Sequence, residues 1–106
     1  ALSLGMRQRL GLAAALIYEP DVLVLDEPHN GLDAGAIRWL REVLQRYAAS
    51  GRTVLLSTHL LSEVAALAHR VVILVDGEIV VDEPAGPWTA DADVLEERYL
   101  GLVGEW

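Results

Sequence analysis

Val22-Leu23-Val24-Leu25-Asp26-Glu27-Pro28, VLVLDEP, is the stretch on which the fold turns. Four consecutive aliphatic residues, two of them β-branched, are too short a run for a helix and suit a strand buried on both faces. Two carboxylates and a proline then end the run. The C-terminal end of such a strand is where ligands collect in open α/β sheets. At that edge Asp26 could hold Mg²⁺, directly or through water, because a hard cation prefers oxygen ligands. Glu27 would face an attacking water as general base. Taken alone, the segment fits equally a buried strand that ends in a solvated acidic turn.

Upstream, Ser3 followed by Leu10, Ala13, Ala14 and Ile17 predicts a capped helix with apolar residues three and four apart, stopped by Pro20 and Asp21. Leu2-Ser3-Leu4-Gly5-Met6 puts a hydroxyl and a glycine at the helix start, where free N–H groups and the dipole favour an anion such as phosphate. By itself that stretch is read better as plain N-capping by Ser3. Downstream, Asp33 caps a second predicted helix to about Ala49, with Ile37, Leu40 and Leu44 inward and Arg38, Glu42 and Arg46 outward; Gly51 ends it. A short strand comes next over Thr53–Ser57, then a short helix from Leu60 to about Ala68, and a strand over Val71–Val75.

The order helix, strand, helix, strand, helix, strand predicts a parallel α/β sheet. Asp76-Gly77 between β-branched runs predicts a hairpin whose antiparallel pair closes that sheet. Ser57-Thr58-His59 brings a histidine to the same sheet edge as Asp26 and Glu27, able to donate to a terminal phosphate and orient a water; an exposed turn histidine is the alternative. His69 has no such placement and is read as structural. The composition shift over Pro84–Asp93 predicts a loop, and Val94 to Val103 reads as helical again. Three parts are expected: 1–83, a loop 84–93, and a tail 94–106.

With 106 residues, 53% of them hydrophobic, the chain suffices for one core. No apolar run approaches the roughly 20 residues of a spanning helix, and no signal-type segment opens the sequence, so a soluble cytosolic location is expected. There is no cysteine, which fits a reducing compartment and argues against redox chemistry. The formal charge of −8, spread along the chain, opposes nucleic acid or anionic lipid as a partner. All 8 basic residues are arginine, so lysine chemistry is absent, including the lysine that closes the phosphate loop of P-loop ATPases.

In order along the chain, LSLGMRQRLGLAAAL from Leu2, VLVLDEP from Val22, HNGLD from His29 and STH from Ser57 resemble four segments of the ATP-binding subunits of ABC transporters. These are the signature segment, the Walker B strand, the D-loop and the switch histidine, and the match runs from Leu2 to about Val81. The resemblance implies a partial P-loop NTPase fold and an ATPase that couples hydrolysis to transport, with ATP and Mg²⁺ as cofactors. It assigns Asp26 to the metal, Glu27 to the general base, His59 to the γ-phosphate and Asp33 to coupling between two active sites. Ser3, Gly5 and Met6 would serve the nucleotide on an opposite subunit across a homodimer or heterodimer. A membrane subunit would be the further partner, and contact with the cytoplasmic face of the membrane would be peripheral and indirect.

The chain departs from that family at several points. Leu4 and Met6 stand where Gly and Gln are commonest in the signature, a variation similar to bacterial exporters of peptide, antibiotic and multidrug type. His29 stands where Thr or Ser is usual. No G-x-x-x-x-G-K-[ST] occurs; in the family its strand lies between those matching Thr53–Ser57 and Val71–Val75. The expectation is a C-terminal half, truncated and inactive alone. Two other readings remain: a non-catalytic module pairing with a full-length ATPase subunit, and an ABC-type ATPase of DNA repair or chromosome maintenance, which salt-sensitive DNA binding would single out.

Overall fold

The computed structural model describes residues 3–89 and 92–103. The chain divides at His59/Leu60 into two compact units. In the first, α1 (Leu4–Ile17) is followed by β1 (Val22–Asp26), α2 (Ala34–Ala49) and β2 (Thr53–Ser57). The Ser3 hydroxyl accepts from the Met6 amide at 3.1 Å and starts α1. Asp33 does the same for α2, its Oδ1 accepting from the Ala36 amide at 2.8 Å. Gly51, at φ 91°, turns the chain out of α2, a conformation that glycine adopts without steric cost.

β1 and β2 pair in parallel from Val22↔Thr53 to Asp26↔Ser57, and α2 is the crossover that a parallel pair requires. Ala36, Leu40 and Leu44 of α2 are buried, and Leu23 of β1 with them. The Tyr47 hydroxyl donates to the Pro20 carbonyl, tying the last turns of α2 to the approach to β1.

One expectation is corrected here, and the buried face of α1 is found by packing alone. β1 is covered on one face only: Leu23 is 3% exposed, whereas Val22 and Val24 are 55% and 65% exposed, as is Leu55 of β2 at 59%. Both faces are aliphatic, and the described residues cover one. In α1 the helix is where it is expected, but Leu10 and Ile17 are exposed and Leu12 is the buried residue. α1 is apolar almost all round, so periodicity does not select its face.

The second unit contains α3 (Leu61–Leu67), β3 (Arg70–Val75), β4 (Glu78–Pro84), α4 (Gly86–Thr89) and α5 (Ala92–Val103). Asp76 and Gly77 both have positive φ, 50° and 79°, as a two-residue hairpin turn of the primed type demands. β3 and β4 pair with each other and form a sheet of their own, so the hairpin does not close the parallel sheet. The break falls between β2 and β3, where the resemblance places the phosphate-loop strand.

The core of this unit is Val71, Ile73, Ala85, Trp88 and Leu95, with Leu61, Val64, Val81 and Tyr99 among the residues packed against it. Pro84–Asp93 is therefore not simply a loop. It completes β4, buries Ala85, and forms α4, which carries Trp88 into the core. Pro87 lies in the first turn of α4, where its missing N–H costs nothing. The Ala85 amide donates to the His69 carbonyl at 2.9 Å, which gives His69 a structural task through its backbone. Of the tail, α5 extends over Ala92–Val103, and residues 104–106 lie outside the described residues.

Candidate functional site

Parallel, in-register pairing makes the last residues of the two strands, Asp26 and Ser57, direct partners. The Ser57 hydroxyl donates to Asp26 Oδ1. A carboxylate has two oxygens with several lone pairs, so Asp26, which is exposed, keeps acceptor capacity for a cation. Among the described residues no group of three or more His, Asp or Glu side chains is arranged around a metal position. The remaining acceptor capacity of Asp26 is what would serve Mg²⁺, which protein carboxylates commonly hold singly or in pairs beside substrate phosphates and water.

Past Asp26 the chain turns sharply. Glu27 has φ 46°, in the left-handed region that costs a non-glycine residue roughly 1–2 kcal/mol. Its amide is held by two acceptors of Ser57, the carbonyl at 3.0 Å and Oγ at 3.1 Å. Two consecutive turns come next, Asn30 N–H to the Glu27 carbonyl and Leu32 N–H to the His29 carbonyl, each at 3.2 Å. The turn sets Glu27 Oε2 3.0 Å from Nδ1 of His59. Side-chain exposures of 32% for Glu27 and 66% for His59 leave both open to a ligand. The contact engages Nδ1, and the other ring nitrogen, Nε2, takes no part in it.

Ser3, Gly5 and Met6 sit at the start of α1. Capping uses a lone pair of Ser3 Oγ and leaves its hydrogen, so Ser3 can cap the helix and donate to a phosphate oxygen together. The helix start lies hard against the His29–Asp33 loop. A Cβ on Gly5 would lie 3.3 Å from the Gly31 carbonyl, and one on Gly31, at φ 75°, would lie 2.3 Å from Leu4 Cδ2. One turn further, Gln8 Nε2 lies 3.4 Å from each of the Glu27, Pro28 and Asn30 carbonyls. His29, the unusual loop residue, is 3% exposed and buried. Asp33 ends the loop with its carboxylate engaged in the α2 cap.

The structure thus gathers Asp26, Glu27 and His59 into one cluster and places Ser3, Gly5 and Met6 at a separate helix end. Ser57 and Gln8 are the two connecting residues that sequence reasoning missed. Ser57 is set by register: the last residue of β2 is the partner of the last residue of β1, a pairing that only the structure supplies. Nothing in the sequence marks Gln8, whose contacts depend on how the loop folds.

Residues 1–65 match the family model described as "AAA domain, putative AbiEii toxin, Type IV TA system". The chain is also 46% identical over 81 residues to the lantibiotic transport ATP-binding protein SrtF of Streptococcus pyogenes, covering 76% of this chain and 35% of the relative. The chain belongs to the ABC transporter ATP-binding proteins.

Solved ABC ATPases agree in fold. The ATP-binding subunit of an ABC transporter superposes with a TM-score of 0.83 at 31% identity, over 95% of this chain and 44% of that one. The ATP-binding cassette MJ0796, a dimer in a post-hydrolysis state bound to ADP and Pi, superposes with a TM-score of 0.71 at 28% identity, over 78% and 36%. The chain therefore spans less than half of each of these three ABC proteins. The toxin association in the family model's name stays with that model. The fold is part of a P-loop NTPase of ABC type, α/β with a parallel pair and an antiparallel hairpin. Among the described residues no helix is long and apolar enough to cross a membrane.

Proposed function

We propose that this segment serves the energy-coupling subunit of an ABC exporter, where it supplies the hydrolytic carboxylate for one nucleotide and the signature end for another. The observation that carries the reading is the Glu27–His59 contact at 3.0 Å, beside Asp26 at the ends of two parallel strands. Glu27 accepts the proton of the attacking water, and His59 holds Glu27 in place and then orients the terminal phosphate. Asp26 would hold Mg²⁺, which when bound screens the charge of the phosphates. Ser3 Oγ–H and the α1 N-terminus meet an anion on a second ATP-binding subunit, and Asp33, at the end of the loop that packs on the α1 start, couples the two sites.

The groups that grip the phosphates come from outside these residues, because no lysine is present. The exporter reading rests on the LSLGMRQR segment, and the lantibiotic-transport relative supports it. A membrane subunit at the cytoplasmic face is the partner this function requires. Calorimetry and a phosphate-release assay on the complete subunit carrying this segment test the reading, with Glu27→Gln beside the parent. The expected result is saturable Mg-ATP binding in both and turnover lower by about a hundredfold or more in the variant. A variant that turns over like the parent would remove Glu27 as the base.

A further inference from the structure

We propose that Ser57 is a positioning residue of this site, tying the orientation of the metal-linked acid to the backbone conformation of the general base. The inference rests on the ATPase reading above. One hydroxyl has one hydrogen, and Ser57 gives it to Asp26 Oδ1. The same oxygen accepts the Glu27 amide at 3.1 Å, alongside the Ser57 carbonyl at 3.0 Å. With donor and acceptor both committed, the hydroxyl has one orientation, and two carboxylate residues with different tasks share it.

The geometry explains why a plain strand end does not suffice. Glu27 stands at φ 46°, a conformation a non-glycine residue keeps only where its surroundings over-determine it. Its amide is pinned at that point by Ser57 alone of the described partners, and from there its carboxylate reaches Nδ1 of His59. Without the hydroxyl, Asp26 loses the donor that orients it and the Glu27 amide keeps one acceptor instead of two. Metal response and turnover should therefore move together, whereas a hydroxyl that only stabilised the strand would move neither in folded protein.

The test uses the complete subunit carrying this segment, as parent, Ser57→Ala, Ser57→Thr and Ser57→Cys. The readouts are Mn²⁺ binding with a non-hydrolysable ATP analogue, followed by electron paramagnetic resonance, together with kcat, KM and thermal melting. In Ser57→Ala the Mn²⁺ concentration for half-saturation should rise, and kcat should fall, each by about three- to tenfold, and KM for the metal–nucleotide complex should rise with the weaker metal binding. Ser57→Thr, which keeps the hydroxyl on a strand-favouring side chain, should restore both. Parent-like metal binding in Ser57→Ala overturns the assignment, as does equal impairment in Ser57→Thr. Should Ser57→Ala lose its melting transition, Ser57→Cys, similar in size but a weak hydrogen-bonding group, decides: parent-like metal binding there overturns the assignment. A parent that binds no Mg-nucleotide overturns the ATPase reading itself, a result separable from the others.

Discussion

Replacing Gly31 by alanine should weaken the junction between the start of α1 and the loop after Glu27, by an amount the geometry sets. A Cβ at residue 31 would stand 2.3 Å from Leu4 Cδ2, 2.5 Å from Leu4 Cγ and 3.1 Å from Leu4 Cβ. Alanine at φ 75° costs about 1–2 kcal/mol from the left-handed backbone alone. Leu4 is 56% exposed, so its side chain can swing toward solvent, at about 0.5–1.5 kcal/mol for an off-rotamer geometry. The sum is roughly 1.5–3.5 kcal/mol. Guanidinium denaturation of parent, Gly31→Ala, Leu4→Ala and the double variant separates the two contributions. In the double variant the clash with Leu4 Cγ and Cδ2 is removed, while the backbone part and the 3.1 Å approach to Leu4 Cβ remain, giving an interaction of about 0.5–1.5 kcal/mol. Additivity of the two changes, or a Gly31→Ala protein as stable as the parent, would refute the close approach.

Asp33→Ala should cost about 1 kcal/mol through the lost cap of α2. Asp33→Asn should recover most of that stability, so a turnover defect that persists in the Asp33→Asn variant reports coupling and not stability. Leu40→Ala, at a side chain 1% exposed, should cost about 2–5 kcal/mol by denaturation, and a loss under about 1 kcal/mol would contradict its burial. Gln8→Glu sets an acceptor against the three carbonyls that the Gln8 amide faces at 3.4 Å. It should destabilise more than Gln8→Ala and lower turnover with it; equal effects would show that the amide's donors are idle.

Much of the first unit was legible in the sequence because its signals are local. Pro20 and Asp21 stop a helix, four aliphatic residues make a strand, and Asp33 caps the next helix. The placement of Asp26, Glu27 and His59 at one sheet edge was legible for the same reason, since Asp26 closes β1, Glu27 follows it and His59 comes two residues after β2. The faces were not. Val22 and Val24 are as apolar as Leu23, and only packing decides which of them is covered. The second unit misleads through composition: Pro, Gly and Ala around residues 84–87 suggest a loop, yet Ala85 and Trp88 are core. Pro87 in a first helical turn, with Trp88 ahead of Leu95 and Tyr99, was the pattern to weigh against composition. The Ser57 bridge depends on register and the Gln8 contacts on loop shape, and neither is a property of residues adjacent in sequence.

Each unit has its own tryptophan among the described residues, in a different setting. Trp39 is 38% exposed, with the Arg9 guanidinium 5.7 Å from its ring centroid. Trp88 is 3% exposed, its indole N–H donated to Glu83 and the Arg98 guanidinium 4.3 Å from its ring. A solvated indole emits at longer wavelength than a buried one, so the two rings carry separate optical labels. With Trp106→Phe removing the third, heating would report the loosening of the second unit as a red shift from Trp88. A ligand settling near Asp26 would be seen first through Trp39, without any dye attached to the protein.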